Sequence, residues 1–163
     1  MNKLLLKSVA IASALAVSTG IASAQSAKEF YNGKSVEIYI GYGLGGTYGK
    51  SATIMGEHLK GRLGADSVIV KSMPGAGGLK MTNYYANIAP KDGSAIMLPP
   101  DTLAITQMLK PKKAKYNSMD FTWLGAAVRS NSVSAVRADS GVKTWTDLKT
   151  KEVPFASSGL GSQ

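Results

Sequence analysis

The chain contains no cysteine, a single histidine and only ten acidic residues in 163. The missing cysteines exclude a disulfide framework and a lipid-anchor cysteine, so stability has to come from the core. His58 stands in a helical stretch with no second histidine and no carboxylate cluster nearby, which makes it a solvent-facing helix residue and not a metal ligand. Gly-x-Ser-x-Gly is also missing, and no Ser/His/Asp arrangement has usable spacing, which argues against a hydrolase. Nineteen lysines and arginines outnumber the acids and give a formal charge of +9. They are scattered over turns and helix faces, and the one dense run, Lys110 to Lys115, is broken by Pro111. That pattern reads as a solvated basic surface and gives no reason to expect a nucleic-acid partner.

No apolar run is long enough to cross a membrane comfortably. The first 24 residues instead resemble an export signal: Lys3 and Lys7, the small and apolar run Ser8 to Ile21, and the cleavage site Ala22-Ser23-Ala24. Cleavage after Ala24 would leave 163 − 24 = 139 residues with charge 17 − 10 = +7, ample for a domain with its own core. The expected location is the periplasm.

From there strand and helix patterns alternate. Val36, Ile38 and Ile40 mark a strand, and a helix from about Gly49 to Leu63 carries Ala52, Met55, Leu59 and Leu63 on one face, with Gly64 as its stop. Ser67 to Ser72 is a second strand, Leu79 to Ile88 a helix, and Ser94 to Leu98 a third strand. Asp101 is the expected N-cap of a helix with Ala104, Ile105, Met108 and Leu109 turned inward, ended by Pro111. This β-α-β-α-β-α order predicts an α/β fold with a parallel sheet and helices on both faces. Further on, Phe121 to Arg129, Val133 to Arg137 and Val153 to Ala156 are expected as strands, and Thr144 to Lys149 as a short helix with a Thr144-x-x-Asp147 capping box. Trp123 and Trp145 are expected in packing positions. The chain stops at Gln163, just after a glycine–serine loop that would normally feed a helix, so it reads as cut off in mid-fold.

Glycine-rich loops follow the strands: Gly41-Tyr42-Gly43-Leu44-Gly45-Gly46-Thr47, then Pro74-Gly75-Ala76-Gly77-Gly78, then Ser157-Ser158-Gly159-Leu160-Gly161-Ser162. Glycine permits close backbone approach to a ligand, and a helix that follows directs N–H groups and its positive dipole end to the same place, which suits a carboxylate or phosphate. Two nucleotide readings fail on spacing. A P-loop ending in Gly49-Lys50-Ser51 needs glycine where Leu44 stands. Gly41-x-Gly43-x-x-Gly46 matches a dinucleotide fingerprint, yet its acid, Asp66, precedes the second strand instead of ending it.

Several elements occur in a fixed order. They are the export signal, Phe30-Tyr31-x-Gly33-Lys34, the first glycine loop, Met73-Pro74-Gly75-Ala76-Gly77-Gly78 and Ala89-Pro90-Lys91-Asp92-Gly93. Met119-Asp120-Phe121, Trp123-Leu124-Gly125 and the glycine–serine loop follow. In this order the chain resembles, over Lys28 to Gln163, the Bug family of periplasmic solute-binding receptors for tripartite tricarboxylate transporters. The resemblance implies a bilobed, type II-like periplasmic-binding-protein fold, truncated here. Residues 1–24 would be the signal, 25–122 lobe one, and 123–163 the crossover and the start of lobe two. It implies a non-catalytic receptor without cofactor, monomeric when complete, that closes on a small carboxylated solute and delivers it to membrane subunits. The implied ligand-binding positions are Gly45, Gly46, Thr47 and Tyr48 on lobe one and Ser158, Gly159, Gly161 and Ser162 on lobe two. Half a cleft is expected to bind solute only weakly. Many members carry an acid, then a small residue and an arginine, where this chain has Gly49, Ala52 and Thr53, which weighs against an amino-acid ligand. The alternative is an exported α/β enzyme or phosphate-binding module.

Overall fold

The computed structural model describes residues 25–126 and 133–154. A one-turn helix, α1 (Ala27–Tyr31), opens the described chain. Ser26 and Glu29 cap it reciprocally, each side chain accepting from the other's backbone N–H. The sequence reading passed over this helix, although Ser-x-x-Glu was there to signal it. Its end packs on the far turn of the sheet: the Tyr31 hydroxyl donates to the Gly93 carbonyl at 2.9 Å, and Lys34 Nζ lies 3.6 Å from the centre of the Phe30 ring.

The alternation then unfolds as expected: β1 (Ser35–Ile40), α2 (Thr47–Leu63), β2 (Ser67–Ser72), α3 (Leu79–Asn87), β3 (Ala95–Leu98) and α4 (Leu103–Leu109). The three strands form one parallel sheet in the order β2-β1-β3. Period-2 alternation sends Val36, Ile38 and Ile40 to one face, where Ile38 and Ile40 pack with Ala52, Leu59, Val68, Val70 and Leu98. Gly56 of α2 is buried here, and a Cβ on it would sit 3.2 Å from Val68, so the helix lies close on the sheet. The other face carries Tyr39 and Ala95 against Met81, Ala89, Tyr84 and Tyr85. Helices on both faces of a parallel sheet follow from the hydrophobic patterning of β1, the central strand, buried on both sides. Gly64 ends α2 in the left-handed conformation, its N–H bonded to the Lys60 carbonyl.

Four expectations need correction. Thr102, not Asp101, occupies the N-cap of α4, because the Leu103 N–H closes a turn back to the Pro100 carbonyl. Ala104, Ile105, Met108 and Leu109 face solvent instead of the core, while Leu103 is the buried residue. The Tyr116 hydroxyl bonding to the Leu103 carbonyl, and Gln107 accepting from the Ser118 N–H, claim the opposite side of this helix. Third, residues 121–126, 133–137 and 153–154 form no strand; the remainder of the expected strands lies outside the described residues. Trp123 and Trp145 are exposed, not packed. Trp145–Lys149 is a helix of 3₁₀ type, capped by the Asp147 carboxylate accepting from the backbone N–H of Lys143 and Thr144.

One polar cluster lies on the second sheet face, beside β2. Glu37 accepts from the Tyr39 hydroxyl and pairs with Lys71 at 3.2 Å. The Tyr39 hydrogen bond, then Lys71, hold the Glu37 carboxyl below its ordinary 4.5, against an opposing effect of desolvation. A depressed carboxylate contributes stability above its unfolded pKa and loses it as pH falls through the folded value. Melting curves should therefore show stability falling below about pH 4.5, and Glu37→Gln should flatten that acid-side loss.

Candidate functional site

The register sets the three strand ends level. Ile40 stands opposite Ser72 on one side and Leu98 on the other, so the loops that follow emerge side by side at the carboxyl edge of the sheet. In open α/β sheets ligands bind at that edge.

The first two loops meet backbone to backbone. A Cβ built on Gly41 would lie 2.5 Å from the Gly78 Cα. Gly78 itself adopts φ +88°, in the left-handed region, and its own missing Cβ makes room for the Pro100 ring at 3.1 Å. Side chains complete the clasp. The Ser72 hydroxyl donates to the Tyr42 carbonyl at 2.9 Å, and the Tyr42 hydroxyl donates to the Gly77 carbonyl at 3.3 Å. Tyr42 stacks on Tyr48 with ring centroids 4.5 Å apart, and the Tyr48 oxygen accepts from the Asp101 N–H at 3.1 Å. Burial pushes both phenols above their ordinary range, Tyr42 further through Tyr48 and Asp101, while at Tyr48 the Asp101 N–H bond opposes the rise and the Asp101 charge adds to it; both are neutral hydroxyls near pH 7. Thus the Pro99-Pro100-Asp101 loop after β3 belongs to the same assembly. Sequence reading missed it, though its place after a third parallel strand was a sufficient signal.

Within this assembly the first loop folds over the start of α2. The Gly46 N–H reaches back to the Gly43 carbonyl, and Lys50 is the first residue to bond in helical fashion, to the Gly46 carbonyl at 3.0 Å. The first-turn residues Thr47, Tyr48 and Gly49 leave N–H groups without a helical acceptor, and no acid occupies that turn. Gly43, Gly45 and Gly46 have ordinary φ, Gly46 at −86° in extended backbone. What Gly45 and Gly46 supply is bare, exposed backbone, not an unusual conformation. Gly49 differs: a Cβ there would lie 2.0 Å from the Leu44 carbonyl oxygen, so the loop can rest on the helix only because residue 49 has no side chain.

Of the sequence-predicted site, Gly45, Gly46, Thr47 and Tyr48 come together at the sheet edge. Tyr48 does so partly as a structural strut, through its ring and its oxygen. Ser158, Gly159, Gly161 and Ser162 lie outside the described residues. His58 is exposed on α2. Among the described residues no group of His, Cys, Asp and Glu is arranged to hold a metal ion. The first turn of α2 offers backbone hydrogen-bond donors, with the Asp101 carboxylate near enough to act on both tyrosines. Compared with family models, curated proteins and solved structures, the chain matches none.

Proposed function

We propose that the chain is the solute-capturing part of an extracytoplasmic receptor that takes a small carboxylate for a tripartite tricarboxylate-type secondary transporter. The observation that carries this reading is the meeting of three strand-end loops beside the start of the 17-residue helix α2, whose first-turn backbone N–H groups have no helical acceptor and which holds no acid in that turn. Such donors stabilise an anion through both hydrogen bonding and the helix dipole. The resemblance in motif order supplies the rest of the reading: a two-lobed clamp, with Ser158, Gly159, Gly161 and Ser162 approaching the ligand from the opposite side, and membrane subunits as the receiving partner.

Titration calorimetry on a form carrying both lobes complete, against mono-, di- and tricarboxylates with phosphate as a separate arm, tests it. Carboxylate binding should be lost in Gly46→Val with the melting midpoint held, because position 46 has ordinary φ and its Cβ would meet only the Gly43 carbonyl at 3.8 Å. Unchanged affinity would remove this loop from the site, and binding of phosphate alone would favour the phosphate-module alternative. Export has its own check. N-terminal sequencing of periplasmic protein should begin at Gln25, and a start at Met1 on protein extracted only with membranes would overturn it.

A further inference from the structure

Two features have no part in the site. One is the apolar face of α4 that the fold turns outward: Ile105 is 52% exposed, Met108 80% and Leu109 74%. The other is the basic run beside it, Lys110, Lys112, Lys113 and Lys115. Both are held in place. The Lys113 carbonyl accepts from the Asn83 amide, the Lys115 N–H donates to the Asn83 side-chain oxygen at 2.7 Å, and the Lys115 carbonyl accepts from Asn87. The backbone of the lysine run is thus pinned to α3 while the side chains of Lys112, Lys113 and Lys115 are exposed. Among the described residues none of these four lysines pairs with a carboxylate. Among the described residues α4 is held from its other side, where Leu103 is buried, its carbonyl accepts from the Tyr116 hydroxyl and Gln107 accepts from the Ser118 N–H.

We propose that this surface docks on an anionic lipid bilayer, Ile105, Met108 and Leu109 entering the headgroup boundary and the four lysines meeting lipid phosphates. A basic run flanking an apolar helix face matches the two layers of such a surface, negative charge over hydrocarbon. A nucleic acid offers the charge without an apolar layer beneath it. The proposal is independent of the carboxylate site, which lies at the strand ends.

The absence of native cysteine makes the test clean, because one introduced cysteine is the only labelling position. Leu109→Cys and His58→Cys, the latter exposed on α2, are each labelled with an environment-sensitive fluorophore in the full chain. They are titrated with vesicles of phosphatidylcholine alone and with added phosphatidylglycerol. Residues 1–24 are common to both proteins, so only the position of the probe differs. The expected result is a blue shift at 109 and none at 58, seen with anionic vesicles and reversed by salt. Lys112→Glu with Lys113→Glu should weaken the partition at least about 25-fold, taking about fivefold for each cation lost. A silent probe at 109, an equal shift at 58, or a shift unaffected by the two charge reversals would overturn the proposal. So would an equal shift with soluble polyglutamate, which would point to an acidic protein, or a concentration-dependent shift without vesicles, which would point to a second copy of the chain.

Discussion

A single methyl group at position 41 should destabilise the fold by about 3 kcal/mol or more, the upper part of the range for overpacking a tight interior site. Gly41 is buried at the end of the central strand, and the atom its Cβ would strike, the Gly78 Cα at 2.5 Å, is main chain. Neither partner can step aside. Gly41 continues a strand hydrogen-bonded on both edges, and Gly78 is wedged between Gly41 and Pro100 at a φ that few other residues tolerate. In Gly41→Ala the two loops must separate, which stretches the Tyr42–Gly77 and Ser72–Tyr42 hydrogen bonds together. A thermal melt should show the midpoint lowered by roughly 10 °C. Gly43→Ala is the control: nothing lies within 4 Å of its Cβ, and its melt should match the parent. Parent-like stability in Gly41→Ala would mean that the loops do not approach each other this closely.

Gly49→Ala should have the opposite signature, a fold that survives and a ligand that is lost. The clash is more severe, 2.0 Å to the Leu44 carbonyl oxygen, and also with main chain, but Gly43, Leu44 and Gly45 are exposed and lie outside the sheet, so the displacement falls on this loop while the strands keep their pairing. Alanine inside a helix even favours the helix by up to about 1 kcal/mol over glycine. The displaced loop carries Gly45 and Gly46 away from the first turn of α2, and donors misplaced by about 1 Å can lose as much as 10²-fold in effect. In a two-lobed form, calorimetry should show carboxylate affinity reduced by about ten- to a hundredfold with the melting midpoint within a few degrees of the parent. Retained affinity would show that the resting position of the loop does not matter to binding. The same contact gives a physical account of the glycine at position 49. A carboxylate side chain there cannot coexist with this loop conformation.

The α/β alternation was legible because its signals are local. Val36, Ile38 and Ile40 advertise a half-turn period, Gly64 a helix stop, and the loop glycines the junctions. The first strand-to-helix turn was legible to the same depth, announced by Gly45, Gly46 and Thr47 whatever surrounds them. The failures were of another kind. Ile105, Met108 and Leu109 have the spacing of a buried face, but spacing states only that a face exists, and the segment 116–118 took the other side of α4. Residues 121–126 and 133–137 have strand composition without a strand, since a strand forms only where a neighbour accepts its hydrogen bonds.

By itself, then, the sequence determined the order of the elements, the two faces of the central strand and the chemical character of the first glycine loop, all properties of contiguous residues and their periods. Tertiary structure alone decided that Gly41 touches Gly78, that Gly49 lies under Leu44, and that Tyr48 reaches Asp101 fifty-three residues away. It also decided which apolar face of α4 stays in solvent. Those outcomes depend on register and packing between distant segments. A glycine's missing side chain leaves no mark in the sequence to say which backbone will fill the space.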